Sequence, residues 1–383
     1  MFDWNNGDFD MARNNHMKLA LIGPSTQTLG GIAIFDHELK KALIKKDILV
    51  FEFNNLRILK KKNLNFINLN SIKYLIDSII IIKNLIRFPL FLMMKLPDVV
   101  YINTPSFLPF FESVYYVIVS RIFKRNIILH IHGGRFHQFY KKNIINRNLV
   151  KFTIKNAAIN FFVSHVQLNV LKHDLDQNNC FVVPNGFDPD VFRPMDKQAV
   201  RGALGLPKDL KIIVTVANFF PEKGHRLLFM AIYHLRKIRK DFLLIVIGDG
   251  PLRNVLEKMI REMGLEDSVK LIGQLSRKDV SMWMNASDFF VLSSLYEGNP
   301  IVMFEALGLG LPFIGTKVGG IPEIITSEDY GLLAEPGNVE DLVEKIRIAL
   351  DKQWDRERIL DYAQQFTWEK ISAKIIDIYN LYK

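Results

Sequence analysis

The sequence predicts an α/β protein with two tandem Rossmann-like domains that face each other across a cleft. Short apolar runs alternate with longer amphipathic segments, which is the pattern of βαβ units on a parallel sheet. Proline and glycine crowd residues 184–194, and the alternation restarts after them, so we place the domain boundary there. The length of 383 residues also suits two or three domains.

The first domain is expected to span residues 17–190. Residues 1–16 are polar and lack the apolar core of a secretory signal, so we expect a disordered leader there. A proline in a helix interior removes a hydrogen bond, so we expect a break near Pro89. The predicted strands are 18–23, 48–53, 98–103, 126–131, 159–163 and 180–183, and the helices are 32–45, 72–95, 107–123 and 143–156.

The second domain is expected to span residues 191–365 on the same plan. A last helix within 366–383 could pack back on the first domain. We predict no membrane span, because the most apolar region, Ile79–Met94, is interrupted by Lys83 and Arg87. The predicted strands are 211–217, 242–247, 269–272, 289–292 and 312–315, and the helices lie near 224–238, 251–263, 277–285, 300–309 and 339–350.

Composition and charge narrow the class of protein. Hydrophobic residues are 49% and charged residues 23%, which excludes a wholly disordered chain. Cys180 is the single cysteine, so neither an intramolecular disulfide nor a cysteine zinc cluster can form. The net charge is +10, and residues 38–95 alone hold 12 Lys and Arg against 4 Asp and Glu, most densely at Lys60–Lys62. An anionic partner is therefore expected.

Loops that follow strands are the candidate site, because open parallel sheets bind ligands beyond the carboxyl ends of their strands. Gly30 and Gly31 precede a helix, and close backbone approach to a helix start suits a phosphate. A plain turn is the alternative. His132 ends a strand before two glycines and is placed to touch a ligand. A structural histidine bonded to backbone is the alternative there.

The second domain places charged residues in equivalent loops. Lys223 stands just before a helix, where it adds a positive charge to the helix start. Glu297 precedes another helix, which Asn299 could cap with Pro300 at its first position. Glu305 then falls among apolar residues of that helix, and a buried carboxylate needs a partner. That partner is either a set of ligand hydroxyls or a buried salt bridge.

The spacing of Glu297 and Glu305, written E-G-x-P-x-x-x-x-E-A, resembles the E-x7-E signature of retaining glycosyltransferases with the GT-B fold, family 4. Other motifs of that family follow in the same order over about residues 17–380, and their joint order is more specific than any one of them. They are Gly30-Gly31, HIHGG ending at Gly134, PNGFDPDVFRP at 184–194, PEKGH ending at His225, GDGP at 248–251 and VGGIPEII at 318–325.

The resemblance implies a role for each candidate residue. Lys223 would neutralise the diphosphate of the donor, and Glu305 would accept hydrogen bonds from its ribose hydroxyls. Glu297 would bind hydroxyls of the transferred sugar, and His132 would lie against that sugar and shape the reacting face. The backbone of the glycine loop and of one turn would hold the phosphates and the sugar; these residues are Gly30, Gly31, Gly298, Asn299, Pro300 and Ile301.

The resemblance also implies the reaction. Residues 17–190 would bind a glycan or lipid-linked acceptor, and residues 191–365 a nucleotide-diphospho-sugar donor. The sugar would be transferred with retention of configuration, without cofactor or metal, in surface polysaccharide, lipopolysaccharide or glycolipid biosynthesis. One departure is Asn218, where the family usually carries an arginine. Asn218 donates a hydrogen bond but supplies no charge, and Arg226 is a candidate replacement.

The basic stretch 38–95 fits an acceptor at the cytoplasmic leaflet of a membrane. Its helix 72–95 carries Lys83, Arg87 and Lys95 among apolar side chains, which is typical of a helix on an anionic membrane surface. A core-packed helix with solvated lysines is the alternative. We therefore expect a cytoplasmic protein that binds the membrane peripherally.

Two other functions remain open. A nucleotide-sugar epimerase has a similar architecture, but the lysine loop and the pair of glutamates favour transfer. A non-catalytic, membrane-associated binding protein with a degenerate donor site is the second alternative, and Asn218 supports it. Stripes of aromatic and basic residues for base stacking are not evident, so nucleic acid is not an expected partner.

Overall fold

Strands and helices alternate along the chain and build two parallel sheets of six strands each, which confirms the predicted fold class. The expected leader at residues 1–16 and the basic triplet Lys60–Lys62 lie outside the described residues. The computed structural model describes residues 17–24, 30–55 and 69–382, without the side chains of 69–81 and 108.

The first sheet has the strand order β2-β1-β3-β4-β5-β6. All of its strand pairs are parallel, so each strand is followed by a crossover, most of them helical. Its elements are β1 (Lys18–Gly23), α1 (Gly31–Ile44), β2 (Leu49–Asn54), α2 (Leu69–Lys95), β3 (Val99–Thr104), α3 (Leu108–Ile122), β4 (Asn126–Ile131), α4 (Phe136–Lys141), α5 (Ile144–Asn156), β5 (Ile159–Phe162), α6 (His165–Asn169) and β6 (Cys180–Val182).

The second sheet has the strand order β12-β11-β10-β7-β8-β9. Its elements are α7 (Lys197–Ala203), β7 (Lys211–Val216), α8 (His225–Arg236), β8 (Phe242–Ile247), α9 (Arg253–Glu262), β9 (Val269–Gly273), α10 (Arg277–Asn285), β10 (Phe289–Leu292), α11 (Ile301–Gly308), β11 (Phe313–Thr316), α12 (Ile321–Ile324), β12 (Gly331–Ala334), α13 (Val339–Asp351) and α14 (Arg356–Ala363), followed by α15 (Trp368–Leu381).

Helices cover both faces of each sheet, and this explains the continuous apolar runs in the sequence. Every residue of β3 and of β8 is buried. A strand buried on both faces gains from apolar side chains at each position, so it shows no alternation with polar residues. The carboxyl ends of the strands are the places where polar and glycine residues return.

The chain crosses between the two sheets twice, and the two crossings are joined to each other. The N–H of Phe187 donates to the carbonyl of Phe366, and the N–H of Trp368 donates to the carbonyl of Phe187, both at 3.0 Å. Helix α15 then packs on the first domain, where Ile371 and Ile375 are buried in the same apolar cluster as Phe35 of α1.

Helix α2 is continuous through Pro89, so the predicted break is wrong. Proline lacks the N–H that would bond to the carbonyl four residues earlier, which is that of Leu85. The hydroxyl of Tyr115 on α3 donates to this carbonyl instead, and the helix keeps its path. Within the described part of the chain, no helix is both long enough and apolar enough to cross a bilayer.

The sequence pattern missed some short elements. Strand β12 has only four residues, and helices α6 and α12 have five and four. Segments of this length show too few positions for a period to emerge, so their conformation depends on the sheet or loop beside them.

Candidate active site

The carboxyl ends of the two sheets border one cleft of about 520 Å³. Loops after β1, β3 and β4 form the first-domain wall, and loops after β7, β9 and β10 form the second-domain wall. Every candidate residue from the sequence except Arg226 lines this cleft, although their roles stay predictions. They are Gly30, Gly31, His132, Asn218, Lys223, Glu297, Gly298, Asn299, Pro300, Ile301 and Glu305.

Lys223 stands at the end of a 3₁₀ turn, Pro221–Lys223, that follows β7. Its ammonium lies 2.7 Å from Oε1 of Glu297, and the hydroxyl of Ser294 donates to the same oxygen at 2.6 Å. The next residue, Gly224, has φ of 68°, and a Cβ there would lie 1.9 Å from the carbonyl oxygen of Ser293. Glycine is therefore required at 224 to aim Lys223 into the cleft.

Glu305 is buried on α11 and pairs with Arg277, whose Nη2 lies 3.2 Å from its Oε1. Arg277 also binds Glu38, a buried carboxylate on α1 of the other domain. Burial raises the pKa of Glu305 to about 7, and the neighbouring guanidinium opposes this shift. The buried salt bridge that the sequence analysis gave as one possible partner of Glu305 is therefore present before any ligand binds.

His132 is held by a chain of side-chain hydrogen bonds. Its Nε2 lies 2.8 Å from Oδ1 of Asn103, and the amide of Asn103 donates to the buried Asp36. With Asn103 in this orientation, Nε2 carries the proton and donates it. Burial lowers the pKa of His132 to about 3, so the ring is neutral at physiological pH. A neutral imidazole is suited to hydrogen bonding with a sugar rather than to pairing with a phosphate.

Two glycines allow the walls of the cleft to meet backbone to backbone. A Cβ on Gly134 would lie 2.6 Å from the carbonyl carbon of Glu297. A Cβ on Gly298 would lie 2.5 Å from the carbonyl oxygen of His132. Any side chain at either position would push the walls apart, so the two glycines set the width of the cleft.

The start of α1 presents backbone N–H groups to the cleft. Gly30 is its N-cap in an extended conformation, and no side chain of the described residues caps the helix. A Cβ on Gly30 would have no neighbour within 4 Å among the described residues. The 14-residue helix therefore offers its positive dipole end to a ligand, as expected from the sequence.

The expected cap of α11 by Asn299 is wrong. Pro300 is the N-cap, and no side-chain bond caps the helix. The side chain of Asn299 instead accepts from the N–H of Asn185 at 3.0 Å, so it binds the segment that joins the two domains. The local sequence pattern predicts a helix cap, but Asn299 bonds instead to Asn185, more than a hundred residues away in the chain.

Asn218 is exposed in the cleft, so the position has room for a longer side chain. Arg226, the candidate replacement for the missing arginine, is exposed on α8 and does not line the cleft. Cationic side chains that do line it are those of Lys223, Arg277 and Arg135. Sequence reasoning missed Arg277 and Arg135, because the residues that they contact in the cleft are distant from them in the sequence.

The described residues contain no group of three or more side chains arranged to hold a metal ion. Two Asp-x-Asp triplets lie within the described ranges, at 174–176 and 188–190, and both stand outside the cleft. Asp174 binds Lys151 at 2.6 Å, and Asp188 binds Lys41 at 3.0 Å. Metal independence stays a prediction that rests on the cations of the cleft.

Residues 196–366 match the sequence model of the family described as "Glycosyl transferases group 1". The second domain is a group 1 glycosyltransferase domain. The chain is 30% identical over 239 residues to N-acetyl-alpha-D-glucosaminyl L-malate synthase of Bacillus anthracis, across 61% of this chain and 62% of that protein. It is 28% identical over 245 residues to the GPI3 subunit of phosphatidylinositol N-acetylglucosaminyltransferase of Saccharomyces cerevisiae, across 60% and 52%.

The matched region spans about half to two thirds of the length of these curated relatives. Solved structures match nearly the whole chain. Sucrose-phosphate synthase from Thermosynechococcus elongatus matches with a TM-score of 0.77 at 19% identity, covering 96% of this chain and 99% of that one. Anabaena HepE in complex with UDP and glucose matches with a TM-score of 0.70 at 20% identity, covering 96% and 100%. These likenesses confirm the GT-B fold.

Proposed function

We propose that this glycosyltransferase moves a sugar from a nucleotide-diphospho-sugar to a glycan or lipid-linked acceptor, with retention of anomeric configuration. The observation that carries the proposal is the placement of Lys223, Glu297 and Glu305 opposite the start of α1 and His132 in one cleft. Charge and dipole thus converge where a diphosphate would lie, and carboxylates flank it where hydroxyls would lie. The relatives' printed names, which include glycosyltransferases for small and lipid acceptors, support it.

The leaving group explains why a lysine is needed. Glycosyl transfer breaks the anomeric C–O bond, so the sugar gains oxocarbenium character and the nucleoside diphosphate gains negative charge. Lys223 would exchange part of its contact with Glu297 for that diphosphate, and the amides at the start of α1 would add oriented donors. Glu297 would then be free to accept hydrogen bonds from the sugar. No divalent ion is needed in this scheme.

Retention is proposed by front-face transfer. His132 is neutral and its Nε2–H donates to Asn103, so the ring does not act as an acid, and its Nδ1 would accept a hydrogen bond from a sugar hydroxyl. The departing phosphate oxygen would take the proton of the acceptor hydroxyl on the same face from which it leaves. Closure of the two walls would exclude water and limit hydrolysis of the donor.

A donor panel tests the proposal without knowledge of the acceptor. Purified protein is incubated with UDP-, GDP- and ADP-sugars, with and without a chelator, and release of nucleoside diphosphate is measured. We expect slow hydrolysis of one donor that survives chelation, and early NMR spectra should show the released sugar in the donor's anomeric form. Loss of activity with chelator, or inversion of the sugar, would contradict the mechanism.

The non-catalytic alternative is favoured by one observation, the uncharged Asn218. Titration of the protein with UDP and with GDP separates the two ideas. Binding of one nucleotide together with slow donor hydrolysis supports transfer. Absence of binding to both nucleotides supports a degenerate site. For the epimerase, the released sugar would differ from that of the donor, which product analysis detects.

The site of action is proposed to be the cytoplasmic face of a membrane, where the acceptor belongs to surface polysaccharide, lipopolysaccharide or glycolipid biosynthesis. The basic region 38–95 supports this placement. Of the cations within it, Lys83 and Lys95 are exposed on α2, which agrees with contact to an anionic surface.

A further inference from the structure

An exposed apolar surface covers helices α2 and α3 of the first domain. The exposed residues recur at helical spacing on each helix, so each forms a stripe along one side. Met94 is 72% exposed and Ile122 is 70% exposed, although both are large apolar side chains. We call this surface the α2–α3 face; its residues are Ile82, Leu85, Ile86, Leu90, Met93, Met94, Phe111, Ile118 and Ile122.

The two stripes lie on neighbouring helices. The hydroxyl of Tyr115 donates to the carbonyl of Leu85, which is the carbonyl that Pro89 leaves free. Tyr115 lies between Phe111 and Ile118 in the spacing of the α3 stripe. Large exposed apolar side chains on two neighbouring helices are a candidate site of interaction.

The charge around the face selects the partner. Residues 82–95 and 108–125 contain six basic side chains and a single acidic one, Glu112. Two of the basic groups are held in place by aromatic rings: Arg87 lies 5.3 Å from the ring centre of Phe53, and Lys95 lies 5.2 Å from that of Phe51. Apolar side chains with surrounding cations suit an anionic lipid leaflet. The six are Lys83, Arg87, Lys95, Arg121, Lys124 and Arg125.

The face begins where the first-domain wall of the cleft ends. Phe107 lines the cleft just before α3, and Phe111 is exposed one turn further along. The rings of both contact Phe139, at centroid distances of 5.6 Å and 6.0 Å. The guanidinium of Arg135, which also lines the cleft, lies 5.2 Å from the ring centre of Phe107. A molecule anchored in a leaflet could therefore extend its head into the cleft.

We propose that the α2–α3 face docks on an anionic lipid leaflet and thereby presents an amphiphilic acceptor to the first-domain wall. The docking stands on the surface itself, whereas the acceptor's role rests on the proposed glycosyl transfer. The apolar side chains enter the boundary between headgroups and acyl chains, and the basic side chains contact anionic headgroups. The acceptor hydroxyl then approaches His132 from the side of Phe107.

Vesicle sedimentation tests the docking. The probes are vesicles of phosphatidylcholine alone and of phosphatidylcholine with phosphatidylglycerol in equal parts. The triple variant Ile86→Ser, Met94→Ser, Ile122→Ser should bind the anionic vesicles at least about tenfold more weakly than the native chain, because three apolar side chains no longer insert. The matched control Met230→Ser, Ile238→Ser, Val255→Ser changes three exposed apolar residues of the second domain and should bind like the native chain.

Removal of charge gives an independent variant. Lys83→Gln, Lys95→Gln and Lys124→Gln should each weaken binding to anionic vesicles by about fivefold and reduce its salt dependence. Equal binding to neutral and anionic vesicles, or equal binding by the native chain and the α2–α3 triple variant, would overturn the proposal. So would a native dimer that the triple variant converts to a monomer while vesicle binding stays absent, because a second copy then covers the face.

Donor hydrolysis separates this inference from the proposed function. The triple variant leaves the cleft residues intact, so its release of nucleoside diphosphate without acceptor should match that of the native chain. Normal hydrolysis with no vesicle binding by the native chain contradicts docking alone. Vesicle binding with no hydrolysis of any donor contradicts the proposed function alone.

Discussion

The two walls of the cleft hold their polar side chains in place by different interactions. On the second-domain wall, charged groups are already paired: Lys223 with Glu297, and Glu305 with Arg277. On the first-domain wall, the central group is His132, which is neutral and fixed by Asn103. A ligand on the second-domain wall must exchange existing ion pairs, whereas a ligand beside His132 adds to an unchanged frame. This difference fits a wall that receives a diphosphate and a wall that shapes a sugar.

Removal of the Lys223 ammonium from the second-domain wall should have the largest effect. Lys223→Ala is expected to lower donor turnover by about a hundred- to a thousandfold, since a preorganised charge at the leaving group is lost. The measurement is nucleoside diphosphate release, together with the thermal midpoint, because Glu297 loses its partner. Lys317→Ala is the control: it removes an exposed lysine of the same domain, paired with Glu335. A turnover close to the native value would refute the assignment of Lys223.

The buried carboxylate of the same wall should make stability depend on pH. The pKa of Glu305 is about 7 in the fold and close to 4.5 when unfolded, so between these values the folded chain binds more protons. The contribution of Glu305 to stability should therefore fall by on the order of 3 kcal/mol as the pH rises from about 4.5 to 7. His132 and His225, whose pKa values burial lowers to about 3 and about 4, contribute in the opposite direction. Denaturant unfolding of the unliganded native chain and of a Glu305 variant isolates the Glu305 contribution as a difference.

Glu305→Gln should remove this contribution, so its stability should gain relative to that of the native chain as the pH rises from about 4.5 to 7. Glu266→Gln, a change at an exposed glutamate of the same domain, should leave the native difference in place. If Glu305→Gln shows the same slope as the native chain, then another group is responsible and Glu305 is ionised throughout this range.

The contact between the walls should be sensitive to one methyl group. A Cβ at Gly298 meets the carbonyl oxygen of His132 at 2.5 Å, so Gly298→Ala must displace one wall. We expect turnover to fall by up to about a hundredfold, because displacements near 1 Å misalign reacting groups. Gly202→Ala on α7 is the control, with no neighbour within 4 Å. Native turnover in Gly298→Ala would show that the walls need not meet.

The smallest change concerns the residue that departs from the family pattern. Asn218→Arg adds a third cation to the second-domain wall, beside Lys223 and Arg277, at an exposed position, and donor turnover should rise by about three- to tenfold. Asn218→Gln keeps an amide and should leave turnover near the native value. Unchanged or lower turnover in Asn218→Arg would show that the cleft already has the charge it needs.

The residues at strand ends were predictable, because their position follows from the alternation of strands and helices and their chemistry from short motifs. Their partners were not. Arg277 reaches Glu305 from α10 and Glu38 from α1, and Asn103 holds His132 from a neighbouring strand. Such pairings depend on how distant segments come together, and a local pattern carries no record of them. The failed cap at Asn299 has the same origin.

The paired crossings at Phe187 and Thr367 have a mechanical consequence. Two connections at distant points would hold the two domains rigidly together. A single connection would let the domains rotate about several axes. Two peptide segments that are hydrogen-bonded side by side act as one hinge, which favours rotation about a single axis. Any opening of the cleft should therefore be a rotation of one domain about a single axis that passes close to Phe187.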